Sequence, residues 1–312
     1  MPPVPPPLIA VVGATASGKT DLSLALAQRL PVEILVADSR QVYRGMDVGT
    51  AKVGSEARRL IPHHLLDLVE PDESFTVADW VAQARRVIPE IAARGRLPLV
   101  VGGTGLYVTS LVDGYDYAAQ PWSPELRAHL AAELEAEGLP ALASRLAELD
   151  AAAAANTDLR NPRRVLRALE RAEAGVGERA VPRADPWRGR VALIGVSRPR
   201  DVLHRRIDAR ARDLFGAGLL DETRRLLDAG YGPDLPAMTG HGYREAAAHL
   251  AGDMTLSEAV ESTGRRTRQY AKRQLTWFRR DRRVVWLPAG EEPADEPSLV
   301  SRIDDLVRRL IA

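Results

Sequence analysis

Residues 13–20 read GATASGKT and follow the apolar run Leu8–Val12. The pattern G-x-x-x-x-G-K-[ST], between a strand and a helix, makes a loop whose backbone amides and helix N-terminus hold an anion. Gly13, Thr15, Ala16, Ser17, Gly18, Lys19 and Thr20 are the candidate phosphate ligands. Lys19 would reach the terminal phosphates and the Thr20 hydroxyl would hold Mg2+. The loop does not say whether the phosphate is a triphosphate or a diphosphate. A second stretch, DSRQVYRGMDVGTAK, starts at Asp38 at the end of another apolar run, 32–37. A carboxylate there suits a general base for an incoming nucleophile. Small-molecule kinases also place an acid here. A third apolar run, 97–101, ends in Gly102-Gly103-Thr104-Gly105, where an energy-coupling ATPase would carry an acid. Its glycines serve close backbone approach or tight packing, and Thr104 offers a hydroxyl and an N-cap. No N-K-x-D guanine motif is present.

Positively charged residues supply the second kind of chemistry. Between Arg265 and Arg283 nine residues are basic and one, Asp281, is acidic, with Tyr270, Trp277 and Phe278 interleaved. Aromatics among arginines suit unpaired RNA bases, although Trp277 reads as a core residue. In a second cluster, Asn161-Pro162 reads as an N-cap and first helical residue. Arg164, Arg167 and Arg171 then share one helical face, with Val165 and Leu169 on another. Such a helix suits a phosphate backbone. Only Lys19, Lys52 and Lys272 among 43 basic residues are lysine, which points to sites needing a compact charge. His63 and His64 lack a third ligand and read as structural, as does His241.

The elements that must position these groups alternate strand and helix. Strands are expected at Leu8–Val12, Val32–Ala37, Leu97–Val101, Arg190–Val196 and Val284–Leu287. Helices are expected at Lys19–Leu30, Thr76–Arg94, Arg200–Phe215, Leu219–Ala229, Tyr243–Leu250, Leu256–Arg280 and Ser298–Ile311, and 45–75 reads as loop-rich. The alternation implies an α/β fold, a P-loop NTPase-like doubly wound parallel sheet, with ligands at the carboxyl ends of its strands. All three motifs fall at such ends. From 121 to 185 only helices are expected, at Ser123 onward, Leu139–Leu149 and Pro162–Ala174. The chain therefore divides into a core of 1–120 and 186–312 and an all-helical insertion of 121–185. With 312 residues, a net charge of +1 and no cysteine, disulfides and thiolate metal sites are excluded. No run approaches the ~18 apolar residues of a membrane span. The opening MPPVPPPL reads as a polyproline-like tail, not a signal peptide, and the expected location is the cytoplasm.

Taken in order, GATASGKT, ADSRQVYRGMDVGTAK, PHHLLDLVEP, LVVGGTGLY, RVLRALE, GYRE and AKRQLTWFRR resemble the tRNA dimethylallyltransferase family over about residues 8–287. The resemblance implies that the loop holds the diphosphate of dimethylallyl diphosphate, with Mg2+ as cofactor. Lys19, Thr20 and Arg210 would then neutralise the leaving group. Asp38 would take the proton from N6 of the adenosine 3′ of the anticodon, position 37, and Thr104 would orient leaving group or base. It further implies that Asp38, Ser39, Arg40 and Gln41 line the adenosine pocket. Arg127, Arg163, Arg164 and Arg167 would grip the anticodon stem-loop of tRNA, with Thr239, Gly240, His241, Gly242, Tyr243 and Arg244 against it. A monomer is expected. Two positions depart from the family pattern: Arg160-Asn161-Pro162 stands where N-D-P is usual, and His241 where an apolar residue or cysteine is usual. The alternative is a P-loop small-molecule or nucleoside kinase, which would have no need of a helical insertion or of two basic clusters.

Overall fold

The computed structural model describes residues 5–116, 123–176, 183–290 and 297–311. The first four residues of the expected tail, and position 121 where the insertion was expected to begin, lie outside them. Six parallel strands form one sheet: β1 (Leu8–Gly13), β2 (Val32–Ala37), β3 (His63–His64), β4 (Leu97–Gly102), β5 (Val191–Ser197) and β6 (Val284–Pro288). Their spatial order is β3-β2-β4-β1-β5-β6. Between them lie α1 (Lys19–Ala27), α2 (Ser55–Leu60), α3 (Val77–Ala93) and α4 (Gly105–Asp113). A helical stretch follows with α5 (Pro124–Leu149), α6 (Ala151–Asn156) and α7 (Pro162–Glu173). The chain then continues through α8 (Arg200–Gly216), α9 (Leu219–Asp228), α10 (Tyr243–Ala251), α11 (Leu256–Arg279) and α12 (Pro297–Ile311).

Strand β1 is buried along its whole length and sends alternate residues to opposite faces. Leu8, Ala10 and Val12 join a core with Trp80, Ile88 and Ile91 of α3, and with Tyr243 and Phe278. Ile9 and Val11 join a second core with Leu22 and Leu26 of α1 and Leu299 and Ile303 of α12. Burial on both faces explains why these strands read as continuous apolar runs rather than alternating ones. The register then sets where the motifs emerge. Ala37 pairs with Gly102, Val12 with Gly102, and Gly13 with Val196. The phosphate loop, Asp38 and Gly103 therefore leave the sheet in one row, at β1, where the strand order reverses.

Two expectations are corrected. Helix α1 stops at Ala27 rather than Leu30, because Pro31 disfavours helical backbone at the residue before it. The 45–75 region holds α2 and the two-residue β3, which pairs with Ile34 and Leu35. A strand that short leaves no periodic signal. The residues compact into two units, Met1–Val112 with Trp187–Ala312, and the helical Asp113–Pro186. Within it, α5 breaks at Gly138 (φ 81°), two residues before Pro140, so its two halves match the two helices read from the sequence. Asn161 caps α7 by accepting from Arg164 N–H at 3.4 Å, with Pro162 as first helical residue. Among the described residues, no helix is long and apolar enough to cross a membrane.

Candidate active site

Gly13 (φ 147°), Ala16 (φ 61°) and Gly18 (φ 92°) turn the phosphate loop around its own amides. A side chain at Gly13 would stand 2.7 Å from the Val196 carbonyl oxygen, so the close approach of the loop to β5 requires glycine. Gly18 caps α1 without a side-chain hydrogen bond, which leaves the first amides of the helix unclaimed by any side-chain cap. Three side chains hold the loop's backbone. Arg206 Nε donates to Ala16 O at 3.0 Å and Arg198 Nε to Ser17 O at 2.9 Å. Gln274 accepts from Thr15 N–H at 2.8 Å. With these carbonyls taken up by cationic donors, the loop is a concavity suited to an anion.

Lys19 and Arg210 bring charge to that concavity, and both line it with Thr15, Thr20, Asp38, Gln41 and Arg206. Lys19 Nζ donates to Ala14 O at 2.5 Å and has no carboxylate in ion-pair range among the described residues. Burial draws its pKa down to about 8, with the field of Asp38 opposing and that of Arg210 adding to the fall. Burial likewise lowers Arg210, against the fields of Asp38 and Asp21, and no described residue accepts a hydrogen bond from its guanidinium. Two desolvated cations without carboxylate partners favour an incoming polyanion.

Asp38 stands across the cleft. One of its oxygens accepts from Arg40 N–H at 2.9 Å, which fixes the carboxyl over the strand end. Gly102 and Gly103 are there for packing: a Cβ on Gly102 would meet Ala37 O at 2.0 Å, and one on Gly103 would meet Gln274 Nε2 at 2.0 Å. Gln274 Nε2 donates to Gly103 O at 2.9 Å while its carbonyl holds Thr15, so one α11 side chain locks the loop to the end of β4. Thr104 lines neither cavity beside Asp38. Its hydroxyl accepts from Ser39 N–H at 3.0 Å and hydrogen-bonds the Tyr270 hydroxyl, which burial pushes up to about 12. Thr104 thus holds the turn that carries Asp38.

A second cavity also borders Asp38. It shares Thr15, Asp38 and Arg210 with the first and is otherwise lined by groups such as Ile207, Leu214, His241, Thr263 and Tyr270. Asp38 therefore borders both cavities, and Arg40 lines the second.

Several residues expected at the tRNA have structural work. Arg40 donates to the carbonyls of Pro236 (2.5 Å) and Ala237 (3.3 Å), and to Thr239 Oγ1 at 3.5 Å. Gln41 Nε2 donates to Thr50 O at 3.1 Å. Tyr243 is core, 1% exposed, and its hydroxyl donates to Glu222 at 2.5 Å. Glu222 also accepts the amides of Asp47, Val48 and Gly49 at 2.8–3.0 Å. Sequence reasoning missed this buried acid, as it missed Gln274 and Arg206. Gly240 and Gly242 are buried, and Gly242 (φ 97°) donates to Glu245 at the start of α10. Arg244 is exposed and Thr239 half-buried. Lys52 marks no ligand site: its ammonium is buried and donates to Tyr43 O, Asp47 and Asp67, stapling the loop after Asp38. Trp277 is not core but 41% exposed, its indole donating to Thr109 at 3.0 Å. His64 pairs with the buried Glu33, as a structural histidine should.

In the helical unit, Arg127 and Arg167 both grip Glu170, at 2.6 and 2.7 Å. Burial alone would raise Glu170, and the hydrogen bonds from Arg127 and Arg167 override it to hold the carboxyl below the usual range. Arg163 and Arg164 are exposed, while Val165 and Leu169 are fully buried.

The IPP transferase family model matches residues 41–281, and an isopentenyl transferase model matches residues 6–59. The tRNA dimethylallyltransferase of Anaeromyxobacter dehalogenans is 49% identical over 300 residues, covering 95% of this chain and 99% of that protein. That of Heliobacterium modesticaldum is 44% identical over 95% of this chain and 93% of its own. A crystal structure of the full-length tRNA isopentenylpyrophosphate transferase from Bacillus halodurans superposes with a TM-score of 0.72 at 39% identity, covering 97% of this chain and 96% of that one. A loop built for an anion, an acid across the cleft and these likenesses agree, and the chain belongs to the IPP transferase family, that of the tRNA dimethylallyltransferases.

Proposed function

We propose that the protein transfers the dimethylallyl group of dimethylallyl diphosphate to N6 of the adenosine at position 37 of tRNA, releasing pyrophosphate. The observation that carries the reading is the position of Asp38, bordering both the cationic cradle and the second cavity. A displacement at the allylic carbon needs leaving group and nucleophile on opposite sides of that carbon. The cradle of residues 13–20, Lys19 and Arg210 would hold the diphosphate and stabilise its departing charge. The adenine amine would come from the other side, out of its stack, with Asp38 accepting the N6 proton as the C–N bond forms. An exocyclic amine is a weak nucleophile, and an allylic diphosphate compensates by ionising readily once its charge is neutralised.

The donors fit Mg2+ held through the diphosphate. The first turn of α1 offers the Thr20 hydroxyl, and no cluster of three His, Cys, Asp or Glu that would cage a metal exists among the described residues. Thr20 would hold the ion, which would add charge neutralisation at the leaving oxygens. The exposed faces of Arg163, Arg164 and Arg244 would contact tRNA phosphates, the enzyme acting as a cytoplasmic monomer.

The test uses unmodified tRNA, Mg2+ and either labelled dimethylallyl diphosphate or γ-labelled ATP. Label enters tRNA from the prenyl donor and not from ATP; phosphate label in an acceptor would overturn the reading.

A further inference from the structure

His241 lines the second cavity yet makes no hydrogen bond to any described residue. Its Nδ1 is sealed from solvent and has no partner, and the same holds for the hydroxyl of Thr263, which lines the same cavity and is 1% exposed. The imidazole lies 5.2 Å from the Tyr270 ring, tilted by 57°, and Tyr270 in turn hydrogen-bonds Thr104 behind Asp38. Burial, then the fields of Arg266 and Arg40, draw the imidazole down to about 4, with Glu245 opposing and Arg273 adding. The ring is therefore neutral at pH 7 and carries one N–H. A proton on the sealed Nδ1 would be a buried donor without an acceptor, so the proton belongs on Nε2. The residue is a neutral donor standing in the compartment that Asp38 borders.

The target base must place N6 at Asp38, and adenine carries a ring acceptor on either side of that amine: N1, bonded to C6, on one edge and N7, bonded to C5, on the other. We infer that His241 is a positioning and specificity residue whose Nε2–H donates to N1 or N7 of the adenine while N6 faces Asp38. The inference rests on the proposed dimethylallyl transfer. It concerns this chain in particular, because an aliphatic residue at 241 would offer the base no hydrogen bond. Such a contact fixes the rotation of the base about Asp38, and with it the direction of the N6 lone pair.

The test compares anticodon stem-loop RNAs with adenosine, 1-deazaadenosine or 7-deazaadenosine at the target position, with dimethylallyl diphosphate as donor. For each analogue the readout is kcat/KM on adenosine divided by kcat/KM on the analogue, for wild type and for His241→Leu. Replacing a ring nitrogen by carbon also alters N6 itself, but both proteins meet the same base, so that effect cancels between them. For one analogue the wild-type ratio exceeds the variant's by on the order of tenfold. His241→Gln, which keeps an N–H at similar reach, recovers part of the difference. Each ratio is taken within one preparation, so the folded fraction of a variant drops out. Equal ratios in both proteins for both analogues overturn the inference, as does a wild type that loses nothing on either analogue, whatever the variants do. A wild type that prenylates no adenosine stem-loop overturns the proposed function, and the inference with it.

Discussion

The cationic residues of the cleft and those of the helical unit meet different fates. In the cleft, Lys19 and Arg210 are desolvated and have no carboxylate within ion-pair range among the described residues. In the helical unit, Arg127 and Arg167 close on Glu170, which is 2% exposed. The sequence presents all four as basic residues near motifs. The structure separates cations that meet no carboxylate among the described residues from cations that satisfy a buried acid. Lys52 repeats the lesson beside the cleft itself, since Asp47 and Asp67 consume its charge. A cation is available to a substrate when the fold has supplied it no acid, whatever its place in a motif.

The largest effect should come from the acid that faces the unpaired cations. Asp38→Ala is expected to lower turnover about 10²–10⁴-fold, the usual worth of a positioned base. Affinity for tRNA, measured by filter binding, should stay near wild type, and a fully active variant would remove Asp38 as the base. Lys19→Met comes next, lowering kcat about 10²–10³-fold as one lost stabiliser of a departing oxyanion. The pKa of about 8 adds a pH signature. Lys19 is charged below that value and loses its proton above it, so wild-type kcat/KM for the prenyl donor should fall as pH rises through about 8. The residual activity of Lys19→Met should lack that limb.

Glu170→Gln probes the paired side of the contrast. It should cost about 1–2 kcal/mol in denaturant unfolding, below the value for a fully buried pair because both arginines are partly solvated. Because the folded pKa of Glu170 is lowered, its stabilisation is present above the unfolded value of about 4.3 and is lost as pH falls through the folded one. The variant should therefore lose less stability than wild type on acidification from pH 5. Smallest in activity is Arg127→Lys. Transfer should fall less than about threefold if the guanidinium serves Glu170 alone. A drop of a hundredfold, with stability unchanged, would return Arg127 to the tRNA.

What was legible in the sequence follows from range. The phosphate loop needs particular residues at consecutive positions, and Asp38 and Gly102–Gly103 end apolar runs, so their meeting at one edge followed from strand ends alone. The helices of the second unit carried their own punctuation, Asn161-Pro162 before α7 and Gly138 within α5. The rest depended on partners far along the chain. Gln274 reaches Thr15 and Gly103, and Glu222 gathers Tyr243 with the amides of 47–49. No local spacing announces such contacts. Tyr243 and Lys52 looked functional because they sit within motifs, and the motif is constrained there by folding rather than by substrate.

The central claim is geometric: a diphosphate in the loop and an adenine amine at Asp38, on opposite sides of one carbon. The most direct measurement is the structure of the enzyme with an anticodon stem-loop and a thio analogue of dimethylallyl diphosphate that does not ionise. The account predicts the diphosphate on the amides of residues 13–20 beside Lys19 and Arg210, with N6 within about 2.6–3.2 Å of an Asp38 oxygen. A diphosphate bound elsewhere, or an adenine whose N6 faces away from Asp38, would contradict it.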